Sequence, residues 1–327
     1  MNGNKLFEKF EFIDDELIQD ATIAKGKKKK KKQYWMKWAG MAACICLLVL
    51  GAIQLDNLDK GSGPGANSQD KNPGTIDELE GGNLVNVPAI KLPITTDGVA
   101  MDMIGLIVYR GRIYTQSTFY EGEQAVLVSQ LVGDSLGYAK GNIDEWSNQD
   151  DYTQEFASTV MGDFYEVIGY DSQFRICMKG RYENDEDGGY TDYVHFYDNL
   201  NGISLVNGKD LFGDRLQLMD RFDDVKYQEH QNWDNGWPNY EYHELINVSD
   251  ADLEAFLTKL YSSEFVDLTM SEIYDKEQGH LYFYMKDGTQ IPIRLFEGGF
   301  VGYQPLGWYF VKMPGVAFDT IYNAVRP

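Results

Sequence analysis

The sequence predicts an α+β protein: a single transmembrane helix, a flexible tether, and a strand-rich mixed ectodomain. Three observations carry that reading. Of 327 residues, 43% are hydrophobic and 14% aromatic, enough for a sizeable core and too many for wholesale disorder. Residues 38–55 carry no charge at all. That stretch also divides the charge, with 10 Lys/Arg against 6 Asp/Glu in residues 1–37 and 19 against 45 in residues 56–327. The net charge of −22 excludes a nucleic-acid partner, because phosphate binding needs a basic footprint.

The N-terminal segment, residues 1–33, is expected to be a cytoplasmic amphipathic stub. Leu6, Phe10, Ile13 and Leu17 recur at helical spacing with acids between them. A helix this short is marginal alone in water and needs a surface to fold on. A membrane surface would want Lys or Arg on the polar face, whereas Glu8, Glu11, Asp14, Asp15, Glu16 and Asp20 stand there. The expected surface is therefore a protein partner, met by Phe7, Phe10, Ile13 and Leu17.

Residues 34–55 read as the span in the lipid bilayer. Its 18 uncharged residues give roughly 27 Å of helix, against a hydrocarbon core of about 30 Å. Tyr34, Trp35 and Trp38 mark the headgroup level, and six consecutive lysines, Lys27 to Lys32, hold their side in the cytoplasm. The expected localisation is the cell membrane, single-pass, with the C-terminus outside. A cleaved signal peptide would need a small-residue site after the apolar run, and Gly51-Ala52-Ile53-Gln54 is a poor one. Cys44 and Cys46 fall in this span; Cys177, in an alternating run, is expected to be a buried, unpaired thiol.

Residues 56–92, rich in Gly, Asp, Asn and Pro, read as a flexible linker, and residues 93–327 as the extracellular α+β domain. Leu106-Ile107-Val108-Tyr109 and Arg112-Ile113-Tyr114-Thr115 flank Arg110-Gly111, a two-residue hairpin turn. Residues 164–168 and 174–178 read as two strands, and residues 193–197 and 202–205 as continuing their sheet. Ser249 caps a helix whose apolar face is Leu253, Phe256, Leu257 and Leu260. Residues 280–285 and 291–295 form a hairpin around Asp287-Gly288, residues 300–303 and 308–311 add strands, and a helix with Phe318, Ile321, Tyr322 and Val325 closes the fold. Two subdomains are expected to divide near residues 220–240.

Chemistry is sparse. There is no G-x-S-x-G elbow, S-x-x-K pair or phosphate-binding glycine loop, so no enzyme activity and no cofactor are expected. The acidic run 183–189 fails as a calcium loop, since Val194 stands where a bidentate Glu is needed. His195, His230, His243 and His280 lack zinc-ligand spacing. Glu229-His230 and His243-Glu244 flank one loop. Inside it, Trp233, Trp237 and Tyr240 lie in a turn-rich polar stretch. They offer an aromatic platform for a glycan or peptide, or else rings folded back as lids on the core.

In Phe12-Ile13-Asp14-Asp15-Glu16-Leu17-Ile18-Gln19-Asp20-Ala21, the lysine run and the Trp-rich start of the span, the first 55 residues or so resemble a family. It is that of the membrane-anchored, anti-sigma-like regulatory proteins of Gram-positive bacteria, which accompany extracytoplasmic-function sigma factors. The resemblance implies a signalling protein whose stub holds a cytoplasmic protein such as a sigma factor, while the ectodomain senses a surface signal. A different class of function stands beside it: an anchored extracellular module that binds wall polymer or peptide and has no cytoplasmic partner.

Overall fold

The computed structural model describes residues 84–91 and 104–325, apart from 145–146, 184–187, 237–238, 269, 274–275 and 277. The first half runs β1 (Val85–Val87), β2 (Leu106–Tyr109), β3 (Arg112–Glu121), α1 (Glu123–Val128), β4 (Val132–Lys140), β5 (Met161–Val167), β6 (Arg175–Glu183), β7 (Tyr190–Asp198) and β8 (Ile203–Leu205). A π-helical turn (Lys209–Gly213) and α2 (Leu218–Arg221) lead into the second half. There follow β9 (Phe222–Glu229), α3 (His230–Asn235), β10 (His243–Glu244), α4 (Asp250–Ser262), β11 (Phe265–Asp267) and α5 (Met270–Ile273). The chain ends in β12 (Gln278–Met285), β13 (Gln290–Phe296), β14 (Phe300–Tyr303), β15 (Tyr309–Lys312) and α6 (Val316–Ala324).

The strands form two large antiparallel sheets, β2-β3-β7-β6-β5-β4 and β10-β9-β12-β13-β14-β15-β11, and a small one, β1-β8. Period-two alternation explains how the large sheets meet. On β12, Leu281, Phe283 and Met285 point inward while His280, Tyr282 and Tyr284 point to the opposite face. On β6 and β7, Cys177, Val194 and Phe196 point inward into the same cluster. Helix α4 closes that core with Phe256, Leu257 and Leu260, and α6 with Phe318, Ile321 and Tyr322. Each fully buried Phe or Leu here contributes roughly 1.5–3 kcal/mol.

The expected hairpins form. Arg110 and Gly111 both have positive φ, 49° and 68°, the mirror-image turn whose twist suits two paired strands. The β12–β13 turn holds Asp287, whose Oδ1 accepts the Thr289 backbone N–H at 3.0 Å and its hydroxyl at 2.6 Å. Ser249 caps α4 with a reciprocal bond to Asp252. Cys177 is buried with its thiol free, and burial pushes it up to about 12.

Three expectations need correction or relocation. The strand-rich mixed domain stands, but the single transmembrane helix of the expected fold does not. No helix among the described residues is long and apolar enough to cross a membrane. The 13 residues of α4 give roughly 20 Å against about 30 Å of hydrocarbon. Residues 34–55 themselves, like the stub 1–33, lie outside the described residues. Strand β1 lies inside the stretch read as linker and pairs Val85 with Leu205. Strand β8, expected to continue the sheet of β5–β7, pairs with β1 instead. The sheets change between Leu205 and Phe222, and residues of both line the largest buried cluster.

Candidate functional site

One end of the six-stranded sheet opens into a cleft of about 850 Å³. The β2–β3 turn sets Arg112 on its wall, and Arg112 Nη2 donates to Gln173 Oε1 at 3.0 Å. Gln173 belongs to the β5–β6 loop, shaped by Asp171 Oδ1, which accepts the Gln173 N–H at 2.8 Å. The Tyr114 hydroxyl ties that loop down by donating to the Ser172 carbonyl at 2.8 Å. After β7, Asn199 and Asn201 both donate to the Ile113 carbonyl, at 2.9 and 2.8 Å. Beyond the π-helical turn, Arg215 donates to the Asp210 carbonyl and brings a second guanidinium to the lining, next in sequence to Asp214.

The lining therefore offers two guanidiniums, Arg112 and Arg215, two carboxylates, Asp171 and Asp214, and side-chain amides between them. It includes no histidine, cysteine or serine. What it can do chemically is hydrogen-bond and ion-pair with a polar ligand of both signs.

The sequence-predicted aromatic segment lies elsewhere, on the outer face of the seven-stranded sheet. Helix α3 lays the Trp233 ring on His280, with centroids 4.6 Å apart and planes 16° apart, and beside His230 at 5.6 Å. The Arg294 guanidinium stands 5.5 Å from the same ring. Trp233 is thus a lid over a histidine pair. Tyr240 is 41% exposed, and Trp237 lies outside the described residues. Phe7, Phe10, Ile13 and Leu17, the expected partner face, lie outside them too.

Under the lid the protons have a direction. Arg294 donates only, so the Gln278 carbonyl faces it, at 2.5 Å from Nη2. The Gln278 amide then donates to His230 Nε2 at 2.9 Å, leaving His230 Nδ1 to donate to His280 Nε2 at 3.2 Å. Burial, then Arg294, lowers the His230 pKa, with Asp234 opposing. Burial, Arg294 and His230 hold His280 well below the usual histidine range. Both rings are neutral partners in a structural relay. His243 does not join them; it packs on Tyr227 at 5.2 Å.

No protein-family model, curated protein or solved structure matches the chain. Its site has to be read from its own chemistry.

The cleft residues escape sequence reasoning because they come from six separate segments with no shared spacing. The one local signal was the Arg110-Gly111 turn, which fixes where Arg112 emerges. Among the described residues, no three His, Cys, Asp or Glu side chains gather as metal ligands.

Proposed function

We propose that this chain is a non-catalytic regulatory binding protein, whose strand-rich domain takes a peptide-like ligand carrying both charges. The cleft carries this reading: its volume lies within the usual range for ligand sites, and it sets Arg112 and Arg215 against Asp171 and Asp214. Calorimetric titration of the full chain with short peptides bearing free termini is expected to show saturable binding. Arg112→Glu should weaken it at least tenfold, because the ligand carboxylate would then meet a like charge. Binding untouched by Arg112→Glu, or no binding by any peptide, sinks the reading.

The resemblance of the first 55 residues supports a second contact, an intracellular regulator such as a sigma factor held by Phe7, Phe10, Ile13 and Leu17. The full chain with Phe10→Asp and Ile13→Asp is expected to lose a sigma factor that the wild type captures from lysate. Equal capture by both chains would remove that contact from the reading.

A further inference from the structure

The charges of the cleft are not satisfied evenly. Residues 56–327 hold 45 Asp/Glu against 19 Lys/Arg, so carboxylates are abundant. Arg175, Arg181 and Arg221 each take one, at 2.7, 2.6 and 2.6 Å. Arg112 and Arg215, both half-buried in the lining, form no ion pair among the described residues. Each is held by a neutral oxygen instead. Arg112 Nη2 donates to the Gln173 side-chain carbonyl, and Arg215 Nη1 donates to the Asp210 backbone carbonyl.

The two carboxylates of the lining are in the opposite condition, engaged and exposed. Asp171 Oδ1 accepts the Gln173 N–H at 2.8 Å. Asp214 is 58% exposed and stands 3.8 Å from Lys209 Nζ. A guanidinium has five N–H donors in a planar fork. One bond to a neutral carbonyl fixes the plane of that fork without neutralising it, and leaves further donors that match a carboxylate. Partial burial makes such a pairing stronger than it is between fully exposed groups. The open capacity of the cleft is therefore two oriented cations, in a chain whose net charge of −22 otherwise repels anions.

We propose that the cleft selects a ligand ending in two carboxylates, namely the C-terminus of a peptide whose last residue is Asp or Glu. The proposal rests on the peptide reading above and adds the acidic end to it. Arg112 and Arg215 come from different segments, the β2–β3 hairpin and the stretch after the π-helical turn, so each takes its own carboxylate. A free dicarboxylic acid offers the same two charges. It would leave bare the apolar part of the lining, Ile113, Tyr152 and Ile203, which a longer chain covers.

The test titrates the full chain with Ala-Ala-Glu, Ala-Ala-Gln, C-terminally amidated Ala-Ala-Glu, and glutarate. Ala-Ala-Glu should bind at least tenfold tighter than either peptide lacking one carboxylate. That comparison uses one protein throughout, so no folding defect can imitate it. Arg112→Gln and Arg215→Gln should each make the chain indifferent to one carboxylate, a different one in each variant. Equal affinity for Ala-Ala-Glu and Ala-Ala-Gln overturns the acidic end and leaves the peptide reading standing. A glutamate preference that survives both substitutions does the same. No binding by any of the peptides overturns both, and glutarate binding as tightly as Ala-Ala-Glu overturns the peptide as the source of the two carboxylates.

Discussion

His195 shows how one residue's burial becomes a property of the whole protein. Its ring is wedged between Tyr193 and Phe119, and burial lowers its pKa from 6.5 to about 4. In the unfolded chain the ring returns to its ordinary value, so there it takes up a proton first as pH falls. The native state's advantage is therefore complete above about pH 6.5 and is lost progressively as pH drops toward 4. A shift of this size corresponds to about 3 kcal/mol at most. Urea unfolding of wild type and His195→Gln at pH 7.5 and pH 4.5 should show the wild type losing more stability on acidification, by about 2–3 kcal/mol. Equal losses in the two proteins would mean that the ring titrates normally in the fold.

At the scale of elements, what the sequence makes legible is what is specified locally. Arg110-Gly111 and Asp287-Gly288 announce their hairpins because turn residues act over two to four positions. Ser249 announces α4 because its side chain and that of Asp252 satisfy each other's backbone N–H groups. The strands that escape notice are those whose extended form is decided by a neighbour. Strand β4 is an edge carrying Gly133 and Gly137, with two register shifts against β5, and such edges need no apolar alternation. Strand β1 has three residues in a polar stretch and exists because β8 pairs with it. Strand β9 hides behind Asp223, Asp224 and Lys226, since Val225 alone is fully buried before Gln228. The aromatic segment misleads for a related reason. Its composition announces rings, but the His230–His280 pair that Trp233 covers is assembled from positions fifty apart.

For the whole molecule, the question is whether two sheets built from successive halves of the chain behave as one body. Residues near 220–240 looked like a boundary, because turn-forming residues cluster there and local sequence carries no record of what packs across it. The packing across it is specific. Arg175, on the six-stranded sheet, is fully buried and grips Asp198 with two bonds of 2.7 and 2.8 Å. Tyr303, from the seven-stranded sheet, donates to Asp198 Oδ2 at 3.2 Å, and Tyr170, Phe174 and Phe196 box the guanidinium at 4.7 to 5.2 Å. Burial works against the charge, but Asp198 outweighs it and holds Arg175 well above its ordinary range. A second tie runs from the Tyr170 hydroxyl, in the β5–β6 loop, which donates to Asp287 Oδ2 at 3.3 Å beside the Arg221–Asp287 ion pair of 2.6 Å. Removing one member of the buried pair strands the other as an uncompensated charge, which typically costs 3–5 kcal/mol, whereas replacing both by apolar groups of similar volume is often neutral or stabilising. Asp198→Ala should therefore destabilise the protein by about 3–5 kcal/mol, and Arg175→Met with Asp198→Leu should recover most of the loss. Because the pair sits at the junction, hydrogen exchange should report the Asp198→Ala loss equally at the slowest amides of β6–β7 and of β12–β13. Protection lost in the six-stranded sheet alone would show that the two sheets open independently and that the shared core does not couple them.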